Sequence, residues 1–112
     1  MGVTIERDEN ILTAVIEGDI DHHTAKEVRT LIDDSIERIN PEVLELDFSK
    51  VDFMDSSGIG LIMGRFRLMK LLNGRLKVIN LPNNIEKIIK LSGLESFGII
   101  EWLNKGERRF YE

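Results

Sequence analysis

The spacing of apolar residues changes character between Val43 and Leu72, and this change constrains the fold more than any other feature of the chain. Val43-Leu44-Glu45-Leu46-Asp47-Phe48 reads as a strand buried largely on one face, and the polar stretch Ser49-Lys50-Val51-Asp52 leads out of it. Ile59, Ile62, Met63, Phe66, Met69 and Leu72 then recur at three- and four-residue spacing, which predicts a helix over Ser56 to Leu72 stopped by Asn73-Gly74. A strand, a short loop and a helix in that order form the repeating unit of an α/β fold.

The flanking segments extend the pattern. Val3 to Arg7 and Leu12 to Glu17 cluster β-branched residues about the turn signal Asp8-Glu9-Asn10, predicting an antiparallel hairpin whose second strand ends at Gly18. Thr24 and Glu27 have capping-box spacing, and Val28, Leu31, Ile32, Ile36 and Ile39 follow at helical intervals until Asn40-Pro41. Arg75 to Asn80 predicts another strand. Asn83 with Glu86 opens a helix carrying Ile85, Ile88 and Ile89 and closed by Gly93. A last strand near Gly98 to Glu101 and a weak terminal helix complete the reading. Strands alternating with helices imply a mixed sheet whose later strands run parallel.

Composition removes several function classes. With 112 residues, 42% apolar and 31% charged, the chain is expected to form one domain over 1–112 around one core. No apolar run approaches the ~20 residues that cross a bilayer. The start, Met1-Gly2-Val3-Thr4-Ile5-Glu6, lacks the order of a signal peptide, so a cytoplasmic location is expected. The absence of Cys excludes disulfides, thiolate metal sites and a Cys nucleophile. A net charge of −5, with basic residues scattered or placed late as Arg108-Arg109, argues against direct nucleic-acid binding.

Asp55, Ser56 and Ser57 are all residue types that satisfy the free N–H groups of a helix start, and capping alone is a sufficient account of them. Yet one cap needs one side chain, and Gly58, Gly60 and Gly64 follow, each costing about 1 kcal/mol of helix propensity relative to Ala. Those glycines serve either close packing of a neighbouring helix or a low surface on which a partner can lie. A hydroxyl at this position also sits at the positive end of the helix dipole, where a phosphate is accommodated. On residue chemistry, cap and modification site both remain open. A catalytic serine is disfavoured, because the G-x-S-x-G elbow is absent and His22 and His23 are the only imidazoles. Two adjacent histidines in an extended loop point apart and have no third ligand, so no metal is expected; turn or helix-entry packing is their expected use. No G-x-G-x-x-G follows the first strand, which disfavours a dinucleotide site.

Gly18-Asp19-Ile20-Asp21-His22-His23-Thr24-Ala25, Asp47-Phe48 and Phe53-Met54-Asp55-Ser56-Ser57-Gly58-Ile59-Gly60-Leu61-Ile62-Met63-Gly64-Arg65 resemble the anti-sigma factor antagonists of endospore-forming bacteria, which are stand-alone STAS domains. The resemblance spans essentially the whole chain, including Ser92-Gly93-Leu94. Asp-Ser-Ser-Gly marks antagonists broadly, whereas Asp21-His22-His23-Thr24-Ala25 points to the sporulation sigma F branch. The resemblance implies an α/β domain with a mixed four- to five-stranded sheet packed with amphipathic helices, and a partner-switching function. In that cycle the unphosphorylated antagonist binds a nucleotide-loaded anti-sigma factor that is also a serine kinase, and releases the sigma factor. The kinase phosphorylates the first serine of the motif, here Ser56, which ends binding, and a metal-dependent phosphoserine phosphatase reverses it. By position, Asp21 would lie beside the phosphoacceptor, and Asp55, Ser57, Gly58, Ile59 and Gly60 would form the recognised helix start. Nucleotide and Mg²⁺ belong to the kinase, so this chain needs no cofactor of its own and is substrate rather than enzyme.

Two other assignments stay in view: an antagonist in a general stress-response circuit, and a nucleotide-binding or hydrolytic protein using the glycine-rich helix start. Leu61, Leu68 and Leu71 lie off the main apolar stripe and are candidates for a partner surface.

Overall fold

The computed structural model of the protein describes residues 2–102. Its elements follow as β1 (Gly2–Asp8), β2 (Ile11–Ile20), α1 (His22–Ile39), β3 (Val43–Met54), α2 (Ser56–Leu71), β4 (Arg75–Ile79) and α3 (Asn83–Ser92), then a 3-10 turn at Leu94–Phe97. The sheet has the order β1-β2-β3-β4; β1 and β2 are antiparallel, and β2, β3 and β4 are parallel, with α1 and α2 as the crossovers. This is the mixed sheet expected from the alternation of periods.

Register explains the core. Leu12, Leu44 and Leu76 share one rung, and Ala14, Leu46 and Val78 another; all six are buried. Ile5 of β1 extends the second rung opposite Ala14, Val3 lies opposite Ile16, and both pack on the same cluster. The intervening rung Thr13, Glu45, Lys77 lies on the other face, where Thr13 Oγ1 donates to Glu45 Oε1 at 3.0 Å. One face is therefore covered and the other wetted. Val28, Ile32 and Ile36 of α1, Leu61, Ile62 and Met69 of α2, and Ile85 and Ile89 of α3 are all buried in that one cluster. Each such side chain contributes roughly 1.5–3 kcal/mol by leaving water.

Several boundaries differ from the sequence reading. Gly18 does not end β2. It adopts φ 99, a left-handed conformation that glycine reaches without strain, at a register shift, and the strand resumes as far as Ile20. β3 likewise continues through Ser49 and Lys50, which are exposed, to Val51 and Met54, which are buried. The α1 cap is not Thr24 with Glu27: Asp21 is the N-cap and Thr24 its reciprocal partner. Leu31 is 51% exposed rather than part of the buried stripe. Pro82, not Asn83, precedes α3 as its N-cap. The expected final strand is reduced to one parallel bridge, Val78 with Ile100, carried by Val78 N–H to Ile99 O at 2.7 Å and Glu101 N–H to Val78 O at 2.9 Å. The expected terminal helix lies outside the described residues.

Candidate functional site

The site is built at the ends of β2 and β3. Because the two strands are parallel and Ile20 pairs with Met54, the residues that follow, Asp21 and Asp55, leave the sheet side by side. Each caps a helix. Asp21 Oδ1 accepts from the backbone N–H groups of His23 and Thr24, both at 2.9 Å, and Thr24 Oγ1 accepts in return from the Asp21 N–H at 2.9 Å. Asp55 Oδ1 accepts from the Ser57 N–H at 2.8 Å, while the Asp55 N–H donates to Ile20 O at 3.1 Å and pins this joint to the neighbouring strand. The Thr24 N–H bond, joined by those from the Thr24 hydroxyl and the His23 N–H, holds the Asp21 carboxyl below its ordinary value, against a smaller desolvation effect.

This arrangement decides which residue caps α2. Asp55 does so, and Ser56 occupies the first helical position with its side chain exposed. The capping account of Ser56 is thereby removed, and its hydroxyl stands free at the positive end of α2. Ser57 is half-buried, and Gly58 is buried.

The three glycines divide. A Cβ on Gly58 would collide with the Met54 side chain, which is 1% exposed and has nowhere to retreat. Gly60 and Gly64 meet nothing within 4 Å, so they do not serve close packing of a neighbouring helix; of the two alternatives, the low open surface survives. Opposite effects on stability follow. Gly58→Ala is expected to destabilise by about 1–2 kcal/mol, overpacking outweighing helix propensity. Gly60→Ala is expected to stabilise by up to about 1 kcal/mol. Urea unfolding of the two variants checks both, and a Gly60→Ala protein less stable than the parent would refute the open-surface account.

The off-stripe leucines divide as well. Leu61 is 4% exposed and belongs to the core, Leu68 is half-buried, and Leu71 is 80% exposed. Leu61 therefore drops out of any partner surface. On the predicted stripe, Leu72 is exposed, while the unpredicted Arg65 is buried at 6%.

Sequence reasoning missed three features here. His22 and His23 stand at the helix entry as expected, but as the first residues of α1 rather than in an extended loop, and exposed rather than packed; His23 Nε2 lies 3.8 Å from Glu27 Oε1. Phe53, opposite Asp19 at the strand ends, is half-exposed; the sequence reading ends the strand at Phe48, so this position has no predicted face. Arg65 Nε lies 2.8 Å from Asp33 Oδ1 on α1, with the N–H turned off the line of contact, so the pair is held by charge rather than by a formed hydrogen bond. Burial pushes the Asp33 carboxyl up and the Arg65 guanidinium down from their ordinary values, each opposed by attraction to the other. Among the described residues no group of three or more His, Asp or Glu is placed to hold a metal ion, and no helix is long and apolar enough to cross a membrane.

The comparisons with known proteins agree with this geometry. Residues 3–105 match the STAS domain family. An anti-sigma F factor antagonist of Paenibacillus polymyxa is 33% identical over 92 residues, covering 82% of this chain and 79% of that protein. An anti-sigma-B factor antagonist of Bacillus subtilis (strain 168) is 28% identical over 95 residues, 85% of each chain. The anti-sigma factor antagonist SpoIIAA in its unphosphorylated form superposes with a TM-score of 0.78 at 26% identity, over 96% of this chain and 92% of that one. The phosphorylated form of Bacillus SpoIIAA gives 0.71 at 25% identity, over 98% of both chains. Fold, motif and kinship converge, and the chain belongs to the STAS domain family, among its anti-sigma factor antagonists.

Proposed function

We propose that this antagonist is gated by phosphorylation of Ser56 and acts on an anti-sigma factor of the sporulation sigma F type. Its unphosphorylated form binds the nucleotide-loaded anti-sigma factor, a serine kinase, and frees the sigma factor. Phosphate on Ser56 ends that binding, and a phosphoserine phosphatase restores it. The observation that carries the reading is the division of labour at α2, where Asp55 caps and Ser56 is left exposed. A phosphate there adds about −1.5 to −2 charge beside the carboxylates of Asp21 and Asp55, changing the surface a partner meets. Ser57, Gly58, Ile59 and Gly60 supply the helix start that the kinase recognises, with Asp21 beside it. The chain is substrate and inhibitor rather than catalyst, works in the cytoplasm, and requires neither cofactor nor nucleic acid.

Incubation with the cognate anti-sigma kinase and ATP, followed by mass mapping, tests the assignment. Phosphate on Ser56 supports it, and phosphate confined to Ser57 or elsewhere refutes it. The 28% identity to an anti-sigma-B antagonist favours a second reading, a general stress-response circuit. Pull-downs with sigma F-type and sigma B-type kinases separate the two. Turnover of ATP or a phosphoester by the purified chain alone would speak for an enzyme instead.

A further inference from the structure

Of the seven asparagines in the chain, Asn73 alone is followed by glycine. The fold demands that pair where α2 ends. Asn73 stands at φ 60, a left-handed conformation that asparagine reaches more readily than most side chains. Gly74 has no room for a Cβ, which would lie 2.6 Å from the Cε of buried Met69 and 2.9 Å from the Glu42 carbonyl oxygen. The Gly74 N–H donates to Met69 O at 2.7 Å and the Asn73 N–H to Lys70 O at 3.1 Å, the crossed pair of bonds that makes a Schellman cap around Leu72. The next N–H, that of Arg75, donates to Glu42 O at 2.8 Å and starts β4 in register with Val43.

A glycine after asparagine puts no side chain between its own main-chain nitrogen and the asparagine carboxamide. That nitrogen can therefore attack. The Gly74 nitrogen bonds to Asn73 Cγ, the Cγ–N bond of the carboxamide breaks, and ammonia leaves with the proton that the Gly74 N–H gives up. Water then opens the five-membered imide, at the side-chain carbonyl to give aspartate or at the main-chain carbonyl to give isoaspartate. The other asparagines are worse placed. Asn40 precedes Pro41, which has no N–H, and the remaining five precede residues that carry side chains. Asn80 and Asn84 also spend their amide groups on Asp47 Oδ2 and Asp52 O, whereas Asn73 is exposed.

We propose that Asn73 is a deamidation site and that the Schellman cap of α2 sets its rate. With the cap closed, the attacking nitrogen is held to Met69 O by its own N–H, and each opening of the last helical turn releases it. The consequences follow from position. Either product carries a new carboxylate at the negative end of the α2 dipole. Isoaspartate also adds a methylene to the main chain between Asn73 and Gly74, which puts the Gly74 and Arg75 N–H groups out of step with Met69 O and Glu42 O. Ser56 lies at the other end of this 16-residue helix, about 24 Å away, and is left as it stands.

The test holds the parent chain and an Asn73→Gly variant in mildly alkaline buffer, both folded and in urea above the unfolding midpoint. Peptide mass mapping, with enzymatic methylation to mark isoaspartate, follows conversion at each asparagine. Asn73 is expected to convert first in the unfolded chain and about tenfold or more slowly when folded, since reaction then waits on local opening. The variant should show no conversion at this peptide and unfold like the parent, because glycine suits the same cap position. The separated isoaspartate form should unfold at a lower urea concentration than the parent. Equal rates in the folded and unfolded chains overturn control by the cap. An intact Asn73 in folded protein whose other asparagines have converted overturns the site, and an isoaspartate form as stable as the parent overturns the consequence drawn for β4.

Discussion

Ser56→Asp is expected to weaken the complex with the anti-sigma kinase by tenfold or more, and full phosphorylation by several kcal/mol, while Ser56→Ala binds like the parent and accepts no phosphate. The three forms separate binding from folding. Ser56 is exposed at the first position of α2, and Asp55 provides the cap, so removing the hydroxyl should leave stability within about 0.5 kcal/mol. A carboxylate at that position is favoured by the helix dipole, by about 0.3–1 kcal/mol. The aspartate variant should therefore be at least as stable as the parent and yet bind worse. Titration calorimetry with the kinase, beside urea unfolding of the free domain, reads both quantities. Equal affinity of the parent and the phosphorylated protein would remove Ser56 from the switch.

Asp33→Ala is expected to destabilise the domain by about 2–4 kcal/mol, because it leaves the Arg65 guanidinium, 6% exposed, without its counter-charge. The figure falls below that for a wholly buried pair because a third of the Asp33 side chain remains in water. Replacing both partners by apolar groups, Asp33→Leu with Arg65→Met, should be neutral or stabilising by about 1–4 kcal/mol, since burial disfavours the charged form of each. Urea unfolding at neutral pH distinguishes the outcomes, and a single variant within experimental error of the parent would show the pair to be idle. The pH dependence has opposite signs at two carboxylates. Asp33, raised in the folded protein, contributes its stabilisation in full below the unfolded value of 3.8 and gives it up as pH rises through the higher folded value. Asp21, lowered by the N–H groups it caps, contributes above 3.8 and loses its share as pH falls through its lower folded value.

Most of the fold was legible because period and punctuation agree along the chain. The Val43 to Phe48 run and the stripe from Ile59 to Met69 each name an element, and the αL ends at Asn40 and Gly93 name the ends of α1 and α3. Misreadings arose where a local signal had a tertiary competitor. Gly18 looks like a stop, but pairing with β3 on its far side keeps the strand going beyond the bulge. Asp21 and Thr24 outcompete Thr24 and Glu27 because the helix begins where strand pairing with β3 ends, which puts its cap three residues before the one read at Thr24. Arg65 was invisible as a core residue, since only the approach of α1 supplies the carboxylate that makes its burial tolerable. The candidate site was legible as a motif but not as a geometry. That Asp55 rather than a serine makes the cap, and that Gly58 and Gly60 have opposite surroundings, depends on Met54 and the neighbouring strand.

The pairing of Ile20 with Met54 leaves a single residue, Asp21 or Asp55, between each strand and its helix. Such joints have no slack. One residue inserted at either would turn the following helix by about 100°, moving its first turn away from the neighbouring helix start and leaving the apolar residues of that helix misaligned with the sheet. Length variation among proteins using this device should therefore collect in the β1–β2 turn and after α3, and the two strand-to-helix joints should stay fixed in length.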